Sequence, residues 1–164
     1  MISRPPFLAL YEPDIPQNTG TMLRTCACLG LAAAIIEPAA FPVSDRAFRR
    51  AGMDYLDRVA IDRFPDFADF RAWCIRERRR LILLTTRADM TYTDFAFRSD
   101  DVLLVGRESA GVPEVVHEAA DVRLRVPMAP GLRSLNVAVT AAMALGELRR
   151  QVGWSQMEIA GAAA

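Results

Sequence analysis

The chain has 164 residues, of which 52% are apolar, and this size and composition suit a single domain with a substantial core. Its 20 basic and 20 acidic residues give a formal net charge of +0, which excludes a general polyanion-binding charge, so any nucleic acid must be bound by a local patch. Every basic residue is arginine, and a bias that runs along the whole chain locates no site.

Short apolar runs alternate with helical patterns along the chain. Each run is nearly continuous in apolar residues and ends at glycine, proline or a polar pair, which is typical of strands buried on both faces of a sheet. The predicted elements are, in order, a strand at 7–11, a helix at 18–29 with Asn18 as its cap, a strand at 32–36, a short helix after Ser44, a weak strand at 59–61, a helix from Pro65 to about Arg79, and strands at 81–84, 102–105 and 122–126. This alternation predicts an α/β fold, with a parallel sheet covered by helices on both faces.

The last predicted element is a helix of about four turns that follows a loop rich in proline and glycine. Ser134 is its predicted N-cap, because a serine hydroxyl can accept a hydrogen bond from an unpaired N–H of the first turn. Small and apolar residues cover almost its whole circumference, so the helix must be covered on nearly all sides. We expect a second subunit to contribute part of that cover.

Three cysteines, Cys26, Cys28 and Cys74, form neither an even disulfide framework nor a CxxC pair, and we interpret them as small buried residues in a reducing compartment. A catalytic thiol paired in space with His117 is the alternative. The first ten residues lack a signal-peptide pattern, and no apolar run approaches the roughly 18 to 20 residues of a membrane span. We therefore expect a soluble, cytoplasmic protein with no membrane partner.

Two groups of arginines are candidates for contact with RNA. The first comprises Arg46, Arg49 and Arg50 on the short helix after Ser44. The second comprises Arg76, Arg78, Arg79 and Arg80 at the predicted end of the following helix. For the second group a solvated helix end is the simpler interpretation, because cations are favoured at the negative end of the helix dipole.

Three loops follow predicted strands and could meet at one edge of the sheet, where α/β proteins bind ligands. They carry Asn18, Gly20 and Arg24, then Gly106, Glu108 and Gly111, then residues 128–136. None matches a Walker phosphate loop, a dinucleotide-binding fingerprint or a GxSxG elbow, and no cluster has metal-ligand spacing. Taken singly, each glycine could simply permit a positive φ.

Taken together, the three loops form a pattern that is specific for one family. They read N-T-G-T-M-L-R, G-R-E-S-A-G and V-P-M-A-P-G-L-R-S-L-N-V-A, and in this order they resemble the three motifs of the SPOUT-type RNA 2′-O-methyltransferases. The segments at 36–41 and 49–55 are similar to the bacterial single-domain branch that modifies the wobble ribose of tRNA. The resemblance covers nearly all of 8–151. It implies one domain at 1–153 with a frayed tail at 154–164, a deep C-terminal trefoil knot and a homodimer.

The resemblance further implies S-adenosylmethionine as methyl donor, bound in the knot, with no metal. The implied cofactor-binding residues, many of them acting through the backbone, are Leu84, Gly106, Val126, Ser134 and Leu135. The implied catalytic residues are Arg24, Asn18, Glu108 and Asn136. Because arginine stays protonated, we expect Arg24 to grip the phosphate beside the target ribose and polarise its hydroxyl rather than act as a base. The other three would orient Arg24 or the loops of the pocket.

The last helix departs from the family pattern. Gly146 stands where many members have tyrosine, and Ala138 and Val139 stand where many have serine or asparagine. These departures bear on recognition of the RNA more than on methyl transfer. We therefore predict 2′-O-methylation of the wobble cytidine or modified uridine of tRNA. The alternatives are the same reaction at another tRNA or rRNA position, and a non-catalytic module that binds RNA or S-adenosylmethionine.

Overall fold

A parallel seven-stranded sheet forms the centre of the computed structural model, which describes residues 5–42 and 46–154. Two 3₁₀ helices, Met53–Arg58 and Tyr92–Asp94, lie in connections between the main elements. The strands and α-helices have these bounds: β1 Phe7–Tyr11, α1 Pro16–Cys28, β2 Ala32–Ile36, α2 Arg46–Gly52, β3 Ile61–Phe64, α3 Phe67–Arg76, β4 Leu81–Leu84, β5 Met90–Thr91, β6 Val102–Val105, α4 Glu114–Ala119, β7 Val122–Arg125 and α5 Val137–Val152.

The strand order is β3-β2-β1-β6-β4-β7-β5, and every neighbouring pair runs parallel. The predicted α/β class with a parallel sheet is therefore confirmed. Because all strands point the same way, their carboxyl ends lie along one edge. The loops that leave β1, β6, β4 and β7 emerge side by side at that edge, and this arrangement positions the candidate site.

Two buried clusters fill the space on the two faces of the sheet. Successive residues of a strand face opposite sides, so Leu8 and Leu10 of β1 pack with α1 and α5, whereas Ala9 and Tyr11 pack with α3 and α4. All five residues of β1 are buried, as the continuous apolar run predicts. Helices cover both faces, which confirms the predicted layers.

Helix α1 packs closely against α2 through Gly20. A Cβ atom at this position would lie 2.5 Å from the carbonyl oxygen of Phe48 and 2.7 Å from the Cβ of Ala51. Glycine is therefore required here for helix packing. The glycine of the first motif thus allows α1 to pack against α2, and its sequence context does not reveal this role.

Two predicted helix caps are wrong. Helix α1 begins at Pro16 with Ile15 in the cap position, because proline suits the first turn, where no intrahelical N–H bond is needed. Asn18 therefore lies within the first turn. Helix α5 begins at Val137, and its N-cap is Asn136 in place of Ser134. The Asn136 side-chain oxygen accepts from the N–H groups of Ala138 at 2.9 Å and Val139 at 3.2 Å.

The weak strand is also displaced from its predicted position. β3 spans Ile61–Phe64, with its first and last residues partly buried and the polar pair between them exposed. It is an edge strand with β2 as its single neighbour, so half of it faces solvent and its apolar signal is weak. Helix α3 then begins after its cap Asp66, whose side chain accepts from the N–H of Asp69 at 2.9 Å. The two-residue β5 was not predicted.

The arginines predicted at one solvated helix end occupy different environments, because α3 already ends at Arg76. Arg79 is buried, lies over the rings of Phe7 and Trp73 at 4.8 and 5.4 Å, and donates to the carbonyl of Pro5 at 3.1 Å. For Arg79 the surface interpretation is wrong. Its guanidinium packs between Phe7 of β1 and Trp73 of α3.

The cysteines divide into two buried thiols and one exposed thiol. Burial raises the pKa of Cys26 and of Cys74 to about 12, so both stay protonated at neutral pH. Cys28 is exposed at the end of α1, on a different face from Cys26. The prediction of buried thiols is confirmed for two of the three and is wrong for Cys28.

The carboxyl end of α5 is tied to the turn between α1 and β2. The buried Arg149 donates to the carbonyl oxygens of Leu29 and Gly30, each at 2.8 Å, and its guanidinium lies 4.8 Å from the ring centre of Trp154. Trp154, the first residue of the predicted tail, thus has a packing partner. The predicted cap at Ser44 and the tail at 155–164 lie outside the described residues.

Candidate active site

A cavity of about 500 Å³ opens at the carboxyl ends of β4, β6 and β7. The five residues predicted to bind the methyl donor all line it, namely Leu84, Gly106, Val126, Ser134 and Leu135. They come from the ends of three strands and from the loop before α5. The topology thus brings together residues that are far apart in the chain, whereas their role in binding stays a prediction.

The three motif loops are joined by side-chain hydrogen bonds. Asn136 donates from Nδ2 to Oδ1 of Asn18 at 3.1 Å, and Asn18 donates from Nδ2 to Oε2 of Glu108 in a short contact. Three of the four predicted catalytic residues therefore form one connected group. Asn18 and Glu108 also line a small second cavity together with Gly106 and Val137, at the side of the main one.

This group has only one self-consistent orientation. The oxygen of Asn136 is occupied by the first N–H groups of α5, so its nitrogen must face Asn18. The oxygen of Asn18 accepts that hydrogen, and its nitrogen therefore faces the carboxylate of Glu108. Because each amide has one accepting and one donating end, the cap of α5 determines which way the whole group points.

The loop at 106–111, which carries Glu108, closes on itself at its base. Arg107 and Gly111 exchange two backbone hydrogen bonds, of 3.0 and 2.8 Å. Gly111 has a φ of 62°, which favours glycine, and a Cβ on Gly106 would lie 2.6 Å from the carbonyl carbon of Gly111. Both glycines of the second motif are therefore needed to fold the loop.

Asp14, in the loop between β1 and α1, holds the tip of the same 106–111 loop, and sequence analysis missed it. Its two carboxylate oxygens accept from the backbone N–H groups of Glu108 at 3.1 Å and Ser109 at 3.2 Å, and one of them also accepts from the Ser109 hydroxyl. Burial by itself raises the pKa of Asp14, but these hydrogen bonds outweigh it and hold the pKa below its ordinary value. The only signal in the sequence is an acidic residue between two prolines.

Arg24, the fourth predicted catalytic residue, lies apart from this group. Its guanidinium stacks 4.6 Å from the ring centre of Tyr55, in the 3₁₀ helix that follows α2. It is partly exposed and does not line either cavity. Arg24 therefore lies on the same helix as Asn18 but on the side that faces the 3₁₀ helix at Met53–Arg58.

His117 forms part of the cavity wall, although sequence analysis considered it only as a partner for a thiol. It is 5% exposed, in α4. Burial, and then the positive charge of Arg87, lowers the pKa of its imidazole, so the ring is neutral at physiological pH. Arg87 itself forms a two-point ion pair with Glu114 at the rim, with distances of 2.9 and 3.3 Å.

Acidic residues and metal ligands are sparse around the cavity. Glu108 is the one acidic residue among those that line it within the described chain. In residues 5–42 and 46–154, no three His, Cys, Asp or Glu side chains come close enough to hold a metal ion. None of the helices in those same ranges is long and apolar enough to cross a bilayer.

Comparisons with known proteins agree with this geometry. Residues 5–146 match the SpoU rRNA Methylase family. A Beijerinckia indica subsp. indica protein named tRNA (cytidine(34)-2'-O)-methyltransferase is 70% identical over 146 residues, which is 89% of this chain and 91% of the relative. A solved structure described as "Structural insights into the 2-OH methylation of C/U34 on tRNA" superposes with a TM-score of 0.86 at 37% identity, covering 91% of this chain and 97% of the other.

A second solved structure resembles this chain less closely in sequence. It is the SpoU methyltransferase AviRb from Streptomyces viridochromogenes in complex with the cofactor AdoMet, and it superposes with a TM-score of 0.83 at 27% identity, covering 91% of this chain and 58% of the other. Family match, high identity and superposition all extend over most of the chain. The chain belongs to the SpoU methylase family.

Proposed function

We propose that this protein transfers a methyl group from S-adenosylmethionine to the ribose 2′-hydroxyl of the wobble cytidine or modified uridine in tRNA. The observation that carries the reaction is the connected group of Asn18, Glu108 and Asn136 beside the cavity that the five predicted cofactor residues line. The choice of tRNA follows from the high identity to the named relative.

The cavity suits a nucleoside-sized methyl donor. Its volume of about 500 Å³ is typical of small-ligand sites. Leu84, Val126 and Leu135 supply apolar contacts, and the strand ends and loops expose backbone groups that can bind an adenine ring and a ribose. We assign the cofactor contacts to these residues together with Gly106 and Ser134.

When bound, S-adenosylmethionine would supply an electrophilic methyl carbon on a cationic sulfur: the ribose oxygen would bond to this carbon as the carbon–sulfur bond breaks, S-adenosylhomocysteine would leave, and the hydroxyl proton would be released to solvent. The chain must hold the two reacting centres about 3 to 3.5 Å apart and exclude water. Arg24 would grip the neighbouring phosphate and polarise the hydroxyl, since a guanidinium stays protonated. Asn18, Glu108 and Asn136 would fix the loops that hold the donor.

We also propose that the enzyme is a cytoplasmic homodimer whose subunits meet along α5. One side of this helix is exposed although it is small and apolar, with Val139, Ala142, Met143 and Gly146 at helical spacing. Val139 is 47% and Met143 38% exposed in the single chain. A second copy would cover this stripe.

We further propose that the chain forms a single domain at 1–153 and that its C-terminal segment is knotted. It is supported by the path of the last segment. β7 lies on the far side of β4 from β1, yet the helix that follows returns to α1, where Arg149 binds the carbonyls of Leu29 and Gly30. A C-terminal segment that is threaded behind the preceding loops would follow this path.

For the tRNA contact we favour the arginines of α2 over those near Arg76. Arg46, Arg49 and Arg50 are exposed on a helix that packs against α1, which carries Arg24. The group at 76–80 precedes β4 and so lies near the amino ends of the strands, opposite to the cavity. Within it Arg79 is buried and Arg80 pairs with Asp101 at 2.8 Å.

The first test is calorimetric binding of S-adenosylhomocysteine to the purified protein, with its mass in solution measured alongside. We expect micromolar binding by a dimer. Leu135→Trp should weaken binding at least about tenfold, because the ring fills a cavity of ordinary ligand size. Leu132→Trp is the matched control, since Leu132 is 67% exposed in the same loop and does not line the cavity.

Absence of binding by a well-folded protein would reject the methyl-donor site. The substrate is tested separately by nucleoside analysis of tRNA from a deletion strain. Loss of the wobble 2′-O-methyl group, with recovery on restoring the gene, supports the proposal. An unchanged wobble ribose rejects tRNA position 34 as the substrate and leaves the reaction at another RNA position.

A further inference from the structure

Asp14 connects the loop after β1 to the tip of the loop after β6. Its carboxylate receives three hydrogen bonds, from the N–H of Glu108, the N–H of Ser109 and the hydroxyl of Ser109. The two backbone donors are consecutive, so a group with two accepting oxygens suits them. Asparagine offers only one accepting oxygen, and its NH₂ group would face a second N–H donor.

The tip of the 106–111 loop depends on this contact. The base of the loop is closed by the paired backbone bonds between Arg107 and Gly111, but these leave Glu108, Ser109 and Ala110 outside the bonded pair. All three tip residues line the cavity. The backbone of Glu108 and Ser109 is held by Asp14, in the loop that precedes α1.

Glu108 is consequently held at both ends by one short stretch of chain. Asp14 accepts from its backbone N–H at 3.1 Å, and Asn18, in the first turn of α1, donates to its side-chain carboxylate. The start of α1 is fixed in turn, because Thr19 N–H donates to the Ile15 carbonyl at 3.1 Å. A shift of the loop tip would therefore move the Glu108 carboxylate and the cavity wall together.

We propose that Asp14 is a positioning residue for the methyl-transfer site: it holds the tip of the 106–111 loop and thereby sets the place of Glu108 against the bound donor. The inference rests on the proposed function for its effect on the rate. Its structural part, the control of the loop by Asp14, is independent of which RNA the enzyme modifies.

The test compares three variants of the full chain. Asp14→Asn keeps the size of the side chain and removes one accepting oxygen. Ser109→Ala removes only the hydroxyl donor and keeps both backbone bonds. Asp66→Asn is the matched control, because Asp66 also accepts a backbone N–H at 2.9 Å, but at the cap of α3 on the other face of the sheet.

The measurements are the melting temperature, amide hydrogen exchange over residues 107–112, the dissociation constant of S-adenosylhomocysteine, and the single-turnover rate constant for methyl transfer to tRNA well below the melting temperature. For Asp14→Asn we expect faster exchange at 107–112 and a rate constant lower by about 10- to 100-fold, since displacements of about 1 Å have effects of that size. Ser109→Ala should lose less than about threefold, because the two backbone bonds stay. Asp66→Asn should keep the wild-type rate constant and a melting temperature close to that of the wild type, because aspartate and asparagine cap helices about equally well.

A folded Asp14→Asn protein with the wild-type rate constant overturns the proposal, even if its exchange is faster, because the contact would then be only structural. If the wild type transfers no methyl group to tRNA, the proposed function fails. In that case the role of Asp14 is judged from amide exchange and donor affinity. If Asp14→Asn exchanges at 107–112 as fast as the wild type and binds S-adenosylhomocysteine as tightly, the inference is overturned as well. Faster exchange together with weaker binding supports it.

Discussion

Asn136 donates a 3.1 Å hydrogen bond from its side-chain nitrogen to the side-chain oxygen of Asn18, a residue 118 positions earlier in the chain. The bond joins the N-cap of α5 to the first turn of α1, and Asn18 then donates to Glu108. The start of the last helix is thereby coupled to the loops that form the cavity. Asn136 has two functions in this arrangement, which can be separated by substitution.

Asn136→Asp separates the cap from the contact with Asn18. Aspartate retains the oxygen that accepts from Ala138 and Val139, but it has no hydrogen to donate to Asn18. We expect stability within about 0.5 kcal/mol of the wild type and a clear loss of methyl-transfer rate. Asn136→Ala loses both functions, and its free energy of unfolding should also be about 1 kcal/mol lower than that of the wild type. Urea titration and single-turnover assays measure the two effects, and equal rates for Asn136→Asp and wild type would contradict the orienting role.

Arg24→Ala should slow methyl transfer strongly and leave the affinity for the donor nearly unchanged. Arg24 does not line the cavity, so we expect the dissociation constant of S-adenosylhomocysteine to stay within about threefold. The rate constant should fall about 100- to 1000-fold, as for loss of one electrostatic stabiliser. Arg24→Lys keeps the charge without the planar fork and should fall in between. Tyr55→Phe keeps the stacked ring at 4.6 Å and serves as the control. Full activity of Arg24→Ala would remove the catalytic assignment.

Charges placed on the exposed stripe of α5 should separate the subunits. In a two-fold interface the same patch of both subunits meets, so Val139→Glu with Met143→Glu adds negative charges from both copies to one small buried surface. We expect the mass in solution to change from dimer to monomer. Ile75→Glu is the control, because Ile75 is 64% exposed on α3, away from α5. A wild-type monomer at micromolar concentration, or a double variant that stays dimeric, contradicts this interface.

The arginines of α2 should carry the salt dependence of tRNA binding. Each phosphate contact contributes roughly 0.7 to 0.9 to the slope of log affinity against log salt concentration. Arg49→Ala with Arg50→Ala should therefore lower the slope by about 1 to 2. Arg76→Ala with Arg78→Ala removes the same charge near the opposite edge of the sheet and should leave the slope unchanged. Equal effects of the two pairs would mean that nonspecific charge, and not the α2 surface, binds the RNA.

His117 should make the protein less stable in mild acid. Its pKa is lowered in the fold by burial and by Arg87, so below the ordinary value of about 6.5 the unfolded chain binds a proton that the folded chain does not. The free energy of unfolding should therefore fall as the pH decreases from about 7 to 5, by at most about 1.4 kcal/mol per pH unit for one proton.

His117→Gln removes the imidazole that takes up this proton. The free energy of unfolding of the variant should therefore change less between pH 7 and pH 5. The carboxylates of Asp14 and Asp121 cannot produce the same change, because their pKa values are lowered below an ordinary value of 3.8 and they titrate at more acidic pH. A His117→Gln profile that parallels the wild type from pH 7 to 5 would show that another group is responsible.

Local signals in the sequence determined the strands, the class of fold and the motif loops. The run at 7–11 predicts β1 because continuous apolar residues suit a strand covered on both faces. Asn18, Glu108 and Asn136 could be named from their motifs, and their meeting at one sheet edge follows from parallel strands. Edge strand β3 was misplaced, because an element that faces solvent on one side has a weak pattern.

Only the tertiary structure decided how these pieces are held. Ser134 and Asn136 are both good caps in the sequence, and the choice of Asn136 depends on where α5 meets α1. Asp14 carries no motif of its own, since its partners lie 94 and 95 residues away and become neighbours only when β6 lies beside β1. Hydrogen bonds depend on distance and direction in space, and the linear order of residues does not contain either of them.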